Sequence, residues 1–327
     1  MKYNQIPNTN LKVSAMCLGT WVWGGDCWGG AKEEDCLSAM EEAFASGINF
    51  IDTAPIYGSG VSESIVGKGI KGKREKVVLA TKCGLSAKGT TIFNDLSPKG
   101  IEKEIDVSLK RLNTDYIDLY QCHWPDPKVP IEKTIEALLK IKSQGKIKYI
   151  GVSNFDPALL KKASQLTTIV TLQSQLSLLD RNLEKDVLPF CHEKSIGFLA
   201  YGPLAGGILS GKYQKQTDFA QNDARSFFYK FYSGQGFQKY KRLNEELKKI
   251  NKPINQIAIN WVRQQKGVVS ALVGCRTAQH VRENVAALNW DLTQAELETL
   301  NNLELEKVQS SDRLLNFKKE RGLYGII

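Results

Sequence analysis

Short apolar runs alternate with amphipathic segments along most of the chain. Eight runs rich in β-branched and aromatic residues predict buried strands, namely Ser14–Leu18, Ile48–Asp52, Val77–Thr81, Tyr116–Cys122, Lys148–Gly151, Ile169–Gln173, Gly197–Tyr201 and Val268–Val273. The segments between them repeat apolar residues at the spacing of one helical face. The predicted helices are Ala31–Ser46, Pro98–Leu112, Ile131–Ile141, Pro157–Leu166, Leu183–His192, Pro253–Gln265 and Ala278–Leu288.

An alternation of this length is typical of a parallel barrel. Eight strand–helix units predict an α/β fold of the (β/α)8 TIM-barrel class, with residues 1–327 as a single barrel domain. A doubly wound open sheet is the alternative, but it predicts fewer strands before a domain boundary. Two pieces lie outside the alternation. Lys2–Val13 predicts an N-terminal β-hairpin that caps one mouth of the barrel, and Gly211–Phe237 is a long segment of the kind that usually carries function.

Composition argues against several classes of function. The chain has only three histidines, so a histidine-rich zinc or two-metal centre is not expected and no metal site is predicted. The net charge is +9, with basic clusters at Lys68–Lys76 and Lys239–Lys252. Tyr240 is the one aromatic residue within these two clusters, so aromatic residues are not interleaved along them, which disfavours nucleic-acid binding. Attraction of an anionic ligand or cofactor is the milder interpretation of this charge.

No sequence feature predicts a membrane or secreted protein. The chain has no apolar run of about 18 residues, and its first twenty residues lack the apolar core of a signal peptide. Seven cysteines form no C-x-x-C pair and lie mostly within apolar runs. This usage predicts free, reduced thiols and a cytoplasmic protein.

Polar and charged residues collect where the predicted strands end. In a parallel barrel these ends form one mouth, and the active site is built there. The residues at this mouth are Gly19, Thr20, Trp21, Asp52, Tyr57, Lys82, His123, Trp124, Ser153, Asn154, Gln173, Tyr201, Gly274, Cys275 and Arg276. Taken singly, each has an ordinary structural interpretation, such as a turn cap for Asp52 or a strand-end side chain for Lys82. Their occurrence at successive strand ends favours a common site.

Four of these residues suit the reduction of a carbonyl group. A lysine beside a tyrosine stabilises the phenolate, so we expect Lys82 to lower the pKa of Tyr57 from about 10. Asp52 would keep Lys82 ionised, and Tyr57 would donate a proton near neutral pH. His123 would add a hydrogen bond to the oxygen that develops negative charge. The carbon then requires a hydride, which implies a nicotinamide cofactor.

The stretch FIDTAPIYGSGVSES, from Phe50 to Ser64, has part of the pattern of a dinucleotide-binding turn. It has two glycines, Gly58 and Gly60, but Glu63 occupies the place of the third. A Rossmann turn also predicts an acidic residue about 20 positions later, whereas the next strand ends in Lys82. We therefore interpret the glycines as turn-forming residues, and we expect phosphate to bind near the seventh and eighth strands.

Long segments of the sequence resemble the aldo-keto reductases. They are GTWVWGG at 19–25, GINFIDTAPIYGSGVSESIVG at 47–67, VVLATKCG at 77–84, LKRLNTDYIDLYQCHWPD at 109–126, GKIKYIGVSNF at 145–155, YGPLAGGILSGKY at 201–213 and LVGCRTAQHVRENVAAL at 272–288. The resemblance covers essentially the whole chain. It implies an oxidoreductase that reduces an aldehyde, ketone or sugar carbonyl. It also implies a catalytic tetrad of Asp52, Tyr57, Lys82 and His123, in which Tyr57 is the general acid.

The same resemblance implies a cofactor site for NADPH (NADP+), with NADH as the other option. Its residues would be Gly19, Thr20, Trp21, Asp52, Ser153, Asn154, Gln173, Tyr201, Gly202, Pro203, Leu204, Gly206, Gly207, Lys212, Gly274, Arg276, His280, Glu283 and Asn284. Ser153, Asn154 and Gln173 would hold the nicotinamide carboxamide. Arg276 suits a 2′-phosphate, whereas His280 departs from the glutamine or arginine of many relatives. The substrate pocket would be formed by Trp21, Tyr57, His123 and Trp124.

Two other functions are open from the sequence. Potassium-channel β subunits resemble the same family, so an NADP(H)-binding regulatory subunit with little turnover is one alternative. A barrel hydrolase or lyase that forms a Schiff base on Lys82 is another. The expected partner is a small-molecule carbonyl compound, with no nucleic acid and no membrane. The sequence predicts neither the substrate, nor the direction of the reaction, nor the oligomeric state.

Overall fold

The computed structural model describes residues 1–25, 28–88, 91–305, 308, 317 and 319. Its strands are β1 (Tyr3–Gln5), β2 (Lys12–Ser14), β3 (Met16–Gly19), β4 (Phe50–Asp52), β5 (Val78–Cys83), β6 (Leu85–Lys88), β7 (Thr91–Asn94), β8 (Ile117–Cys122), β9 (Ile147–Ser153), β10 (Ile169–Gln175), β11 (Gly197–Tyr201) and β12 (Val268–Gly274). Eight of them close into a barrel in the order β10-β11-β12-β3-β4-β5-β8-β9, with all neighbours parallel. All eight predicted strands and the (β/α)8 class are confirmed.

Helices lie between the barrel strands and after the last of them. They are α1 (Glu33–Ala45), α2 (Val61–Gly69), α3 (Pro98–Leu112), α4 (Ile131–Ser143), α5 (Pro157–Leu166), α6 (Val187–Glu193), α7 (Ala224–Phe227), α8 (Gly234–Lys248), α9 (Ile254–Arg263), α10 (Ala278–Val285) and α11 (Gln294–Asn301). α3 begins and ends where the sequence predicts, because Ser97 caps it by accepting from the Gly100 amide at 3.1 Å. α6 begins later than predicted, at Val187, where the Asp186 side chain caps it.

The predicted N-terminal hairpin is present and closes the N-terminal mouth of the barrel. β1 and β2 pair antiparallel, and the turn between them includes Asn8 in a left-handed conformation. Ile6, Leu11 and Val13 are buried in one apolar cluster with inward-facing barrel residues such as Phe50. This packing leaves the opposite mouth, at the C-terminal strand ends, for a site.

A second hairpin was not predicted. β6 and β7 pair antiparallel immediately after β5, so they extend the loop that follows Lys82 at the C-terminal mouth. The sequence of this hairpin lacks the strict alternation of apolar and polar residues by which a half-buried strand is recognised. Three of its residues in β7, Thr91, Ile92 and Phe93, are exposed.

Six cysteines lie in the described part of the chain, and all six are buried and free, as the sequence predicts. Cys27 lies outside the described residues. Among the helices that the structure describes, none is both long enough and apolar enough to cross a lipid bilayer.

Candidate active site

Asp52, Lys82 and Tyr57 form one hydrogen-bonded group at the C-terminal mouth. β4 ends at Asp52, and Lys82 lies near the end of the neighbouring strand β5. The Lys82 Nζ donates to Asp52 Oδ2 at 2.6 Å, to the Thr53 carbonyl oxygen at 3.0 Å and to the Tyr57 hydroxyl at 3.0 Å. These bonds use the three protons of the ammonium group. The Tyr57 oxygen is therefore an acceptor, and its own proton is available to another group.

Burial and charge set the protonation of this group. Asp52 is 2% exposed and Lys82 is fully buried. Burial lowers the pKa of Lys82, but Asp52 and Tyr57 raise that pKa by more, so the ammonium form persists. Burial raises the pKa of Tyr57 above its ordinary value, and the opposing effect of Lys82 is smaller. The predicted net lowering of the Tyr57 pKa is therefore wrong, because the loss of water around a phenolate outweighs the nearby positive charge.

The turn after Tyr57 depends on glycine. φ is 60° at Gly58 and 99° at Gly60, both in the left-handed region. A Cβ at Gly58 would lie 2.2 Å from the Gly24 carbonyl oxygen, and a Cβ at Gly60 would lie 2.2 Å from Arg111 Cζ. These glycines form a tight turn and allow close packing. This is the geometry that the turn-forming interpretation predicts.

Aromatic rings surround the Tyr57 side chain. The Trp21 ring stacks beside it with centroids 6.1 Å apart, and the His123 ring lies edge-on to it at 5.7 Å. Phe228 contacts Trp21 edge-on at 5.4 Å, and Trp28 does so at 5.1 Å. The structure thus brings three of the four predicted pocket residues together and adds Phe228 to them.

The fourth predicted pocket residue, Trp124, lies in a small apolar cluster of its own. It is 4% exposed and packs with Ile56, Leu85 and Phe317. The Phe317 ring meets Trp124 edge-on at 5.1 Å. Phe317 therefore contributes to the apolar cluster around Trp124. Sequence reasoning missed Phe317 because it lies far along the chain from every motif.

Polar side chains at the ends of β9 and β11 hydrogen-bond to one another. The Asn154 amide nitrogen donates to Ser153 Oγ at 3.0 Å and to the His123 carbonyl oxygen at 3.1 Å. Tyr201 donates its hydroxyl proton to Asn154 Oδ1 at 3.1 Å. Asn154 itself has φ of 60°, a conformation that asparagine tolerates better than most residues. These predicted cofactor residues thus lie together, close to His123.

Two glutamine amides hold the second carboxylate oxygen of Asp52. Gln173 Nε2 donates to Asp52 Oδ1 at 2.8 Å, and Gln121 Nε2 donates to the same oxygen at 3.2 Å. Gln173 was a predicted site residue, whereas Gln121 was missed. Its only signal in the sequence is a polar residue two positions before His123, which places both on one face of a strand.

The first strands bring further predicted residues to this mouth. Gly19 pairs with both Asp52 and Gly274 in the barrel register. The Thr20 hydroxyl donates to the Asp52 carbonyl oxygen at 3.0 Å and accepts from Ser62 Oγ at 2.7 Å. These contacts tie the end of β3 to the ends of its two neighbours.

The predicted phosphate-binding segment is a glycine-rich turn after β11. It continues through Pro203 and Leu204, and φ is 67°, 73° and 101° at Gly202, Gly206 and Gly207. Tyr229 lies directly against this turn. A Cβ at Gly206 would lie 2.6 Å from the Tyr229 ring, and one at Gly202 would lie 3.1 Å from its hydroxyl.

Three basic side chains lie around the end of β12 and the start of α10. Lys212 Nζ is 3.4 Å from His280 Nε2. Burial, followed by the charge of Lys212, lowers the pKa of His280. Arg276 Nη1 donates to the carbonyl oxygens of Trp28 and Gly30 at 3.0 and 3.3 Å, and its other guanidinium nitrogens donate to no described residue.

The two remaining predicted residues lie farther along α10. Glu283 accepts from Gln279 through its side chain, at 2.8 Å. Asn284 is 5% exposed, accepts from Asn255 at 2.9 Å and donates to the Cys275 sulfur at 3.5 Å. Asn284 is thus already engaged by its neighbours in the fold.

The long segment after β11 both anchors itself and reaches the site. Tyr213, Phe219 and Tyr232 form an aromatic cluster with centroid distances of 4.7 to 6.2 Å. The Tyr232 hydroxyl donates to the Gly206 carbonyl oxygen at 2.8 Å, which fastens the segment to the glycine turn. Phe228, which contacts Trp21, comes from the same segment.

Comparison with known proteins gives concordant matches. A sequence model of the Aldo/keto reductase family matches residues 15–304. The aldo-keto reductase YhdN of Bacillus subtilis (strain 168) is 38% identical over 310 residues, which cover 93% of each chain. The NADH-specific methylglyoxal reductase of Escherichia coli (strain K12) is 35% identical over 315 residues, covering 90% of this chain and 96% of the relative.

Solved structures match the fold over nearly its whole length. A glycerol dehydrogenase from Gluconobacter oxydans superposes with a TM-score of 0.83 at 35% identity, covering 94% of this chain and 99% of the other. The holo form of an aldo-keto reductase from Bacillus halodurans superposes with a TM-score of 0.81 at 30% identity, covering 96% and 99%.

Proposed function

The chain belongs to the aldo/keto reductase family, and we propose that it reduces the carbonyl group of a small aldehyde, ketone or sugar to an alcohol, with NADPH as the hydride donor. The hydrogen bond from Lys82 to the Tyr57 hydroxyl supports this proposal most directly. It fixes Tyr57 as an acceptor toward the protein, so that its own proton points to the group that reacts.

Tyr57 is the general acid in this proposal. It remains protonated at neutral pH, because its pKa lies above its ordinary value. As the carbonyl oxygen gains negative charge, Tyr57 transfers its proton to that oxygen, and Lys82 stabilises the phenolate that results. Asp52 keeps Lys82 ionised and aimed. His123, whose ring lies 5.7 Å from that of Tyr57, orients the carbonyl oxygen by a hydrogen bond.

The residues present fit a nicotinamide dinucleotide. Gly207 has a left-handed φ of 101°, and the Tyr232 hydroxyl, at 3.6 Å, is the one described atom within 4 Å of its Cβ position, so its backbone can be approached closely by a phosphate. Ser153, Asn154 and Gln173 supply hydrogen-bonding groups for a carboxamide at the mouth of the barrel. When bound, the nicotinamide supplies the hydride to the carbonyl carbon.

The preference for NADPH rests on charge. Lys212, Arg276 and His280 lie together around the end of β12, and Arg276 has guanidinium nitrogens that no described residue uses. Such a group suits the 2′-phosphate that distinguishes NADPH from NADH. One relative is named as NADH-specific, so the preference has to be measured on this chain.

The substrate proposed for this site is small. The Trp21 ring lies beside Tyr57, and Phe228 packs against Trp21, so these two rings provide apolar walls. We propose that Trp124, which directly follows His123, adds a further wall. Two relatives are named as a methylglyoxal reductase and a glycerol dehydrogenase. The compounds in these names are short, which supports a short carbonyl or hydroxy compound as the substrate here. We propose the whole chain, residues 1–327, as one catalytic domain that acts in the cytoplasm, where its buried cysteines stay reduced.

A steady-state screen of short aldehydes, ketones and sugars with NADPH and with NADH tests the proposal. We expect oxidation of NADPH by at least one carbonyl compound, and loss of that activity in Tyr57→Phe with cofactor binding retained. Tight cofactor binding without turnover of any compound would support a regulatory subunit. Covalent trapping of a carbonyl compound on Lys82 by borohydride would support a Schiff base. The three hydrogen bonds and raised pKa of Lys82 make it a poor nucleophile.

A further inference from the structure

We propose that Gln121 is a positioning residue for this reaction: its side-chain amide holds Asp52 in the orientation from which Asp52 fixes Lys82 against Tyr57. The inference rests on the proposed carbonyl reduction and extends it to a residue outside the tetrad. Gln121 is fully buried, and it faces Lys82 directly across the β5–β8 pair.

The hydrogen bonds of Asp52 divide between its two oxygens. Oδ2 accepts from Lys82 at 2.6 Å, while Oδ1 accepts from Gln173 at 2.8 Å and from Gln121 at 3.2 Å. A carboxylate removed from water needs several donors, because an unsatisfied lone pair is costly in a low-dielectric interior. The amides supply these donors without adding a second positive charge. Asp52 is therefore held from one side by a cation and from the other by neutral groups.

The orientation of the Gln121 amide follows from its neighbours. Its Oε1 accepts from Gln173 Nε2 at 3.4 Å, while its Nε2 donates to Asp52. Reversal of the amide would bring Oε1 against the Asp52 carboxylate, where two acceptors repel each other. The two glutamines thus form a connected pair around Oδ1.

A missing side chain on the next strand gives Gln121 its space. Gly151 pairs with Gln121 in the β8–β9 register. A Cβ at Gly151 would lie 3.0 Å from Gln121 Cγ and 2.3 Å from Thr171 Oγ1. Any larger residue at position 151 would displace the Gln121 side chain from the position in which it reaches Asp52. The glycine and the glutamine therefore belong to one arrangement.

The groups that face Asp52 come from several elements. Lys82 on β5 and Tyr57 in the loop after β4 are in its hydrogen-bonded group, Cys17 on β3 interacts with it electrostatically, and His123 lies beside Tyr57 at the end of β8. If Oδ1 lost one donor, the charge of Asp52 would be less dispersed. It would then offset more of the Lys82 charge at Tyr57, and Tyr57 would become a weaker acid.

The first test observes Tyr57 directly and needs no turnover. The protein is labelled with carbon-13 at tyrosine Cζ, and the Tyr57 signal is identified as the one that Tyr57→Phe removes. Gln121→Met matches the side-chain length but has no donor. We expect it to move the Tyr57 signal. Thr171→Val is the matched control, because Thr171 lies in the same layer of the barrel and its Oγ1 has no hydrogen-bond partner among the described residues. We expect it to leave the Tyr57 signal in place.

The second test uses the reaction. We expect Gln121→Met to lower kcat about tenfold with KM within about twofold, because the change acts on proton donation and leaves substrate binding intact. Gln121→Glu keeps the shape and also serves if Gln121→Met fails to fold. Its protonated form donates to Asp52, whereas its ionised form repels Asp52. Near pH 6 its kcat should therefore approach that of the unsubstituted protein. As the pH rises toward about 9, the kcat of Gln121→Glu should fall more steeply than that of the unsubstituted protein.

An unmoved Tyr57 signal together with an unchanged kcat in Gln121→Met would overturn the inference, as would a pH profile of Gln121→Glu that runs parallel to that of the unsubstituted protein. Absence of any carbonyl reduction by the unsubstituted protein would refute the proposed function instead. The Tyr57 signal would still decide whether Gln121 acts on the tetrad.

Discussion

Gly58 and Gly24 touch backbone to backbone. A Cβ at Gly58 would lie 2.2 Å from the Gly24 carbonyl oxygen, and a Cβ at Gly24 would lie 2.6 Å from the Gly58 nitrogen. The loops after β3 and β4 therefore pack without a side chain between them. Gly24 follows Trp21 and Gly58 follows Tyr57, so this contact helps to set the distance between these two aromatic side chains.

Gly58→Val should disturb Tyr57 more than it disturbs cofactor binding. The added side chain must push the two loops apart. We expect kcat to fall by about tenfold to a hundredfold, because a small misplacement of a reacting group lowers the rate by that much. Affinity for NADPH, measured by fluorescence titration, should change by less than about threefold. Gly72→Val is the control, because Gly72 also has a positive φ but has no atom within 4 Å of its Cβ position. Equal losses in the two variants would show that backbone strain, and not the contact with Gly24, is responsible.

Lys82→Met should unfold at a lower urea concentration as well as lose activity. It leaves the buried Asp52 carboxylate without its cation, and breaking such a pair costs about 3–5 kcal/mol of unfolding free energy. The double variant Asp52→Asn with Lys82→Met should regain much of the stability but none of the activity. Lys68→Met removes an exposed pair with Glu33 and should cost less than about 1 kcal/mol. A stable but inactive Lys82→Met would contradict this account of the buried pair.

Arg276→Leu should weaken NADPH binding and spare NADH. A guanidinium that contacts the 2′-phosphate contributes to NADPH affinity alone. We therefore expect the dissociation constant of NADH divided by that of NADPH to fall about tenfold. Arg282→Leu, on the helix α10 that follows Arg276, removes an exposed ion pair with Glu42 and serves as the control. A parallel loss for both cofactors would mean that Arg276 acts by holding the Trp28–Gly30 loop through its carbonyl contacts.

Glu104 should make the protein less stable as the pH rises toward 8. Burial raises the pKa of Glu104 to about 8, although it accepts from the Gly84 amide at 2.6 Å. The folded state therefore keeps a proton that the unfolded state releases above about pH 4.5. The stability from this proton is complete below the unfolded pKa, and it is lost as the pH rises through the folded pKa, by up to about 5 kcal/mol.

Thermal unfolding between pH 5 and 8.5 checks this prediction. Glu104→Gln keeps the acceptor for Gly84 and carries no charge, so its melting temperature should change less with pH and exceed that of the unsubstituted protein near pH 8. Glu102→Gln, which removes an exposed pair with Lys140, should follow the unsubstituted protein. Identical pH dependence in all three proteins would refute the role of Glu104.

The sequence predicted the parts of this protein that repeat. The strands were recognisable because each is a buried apolar run with a polar end, and Asp52, Lys82 and His123 stood out as ionisable residues at those ends. Gln121 lies inside a strand and not at its end. A neutral polar residue at such a position does not indicate which residue it will contact. Phe228 comes from the long segment after β11, and Phe317 lies far along the chain from the other site residues. Their contacts depend on long-range packing that no local pattern encodes. The pKa of Tyr57 was misjudged because burial cannot be read from residue type.

The N-terminal hairpin has a consequence for the order of events. Ile6, Leu11 and Val13 close the N-terminal end of the barrel with apolar side chains, which pack with Cys17, Phe50 and Leu119 of the barrel strands. In the proposed reaction, we therefore expect the proton that Tyr57 gives up to be replaced from the C-terminal mouth, where the alcohol product also leaves. Reprotonation of Tyr57 and release of the product would then use the same opening, and we expect Tyr57 to regain its proton after the product has left.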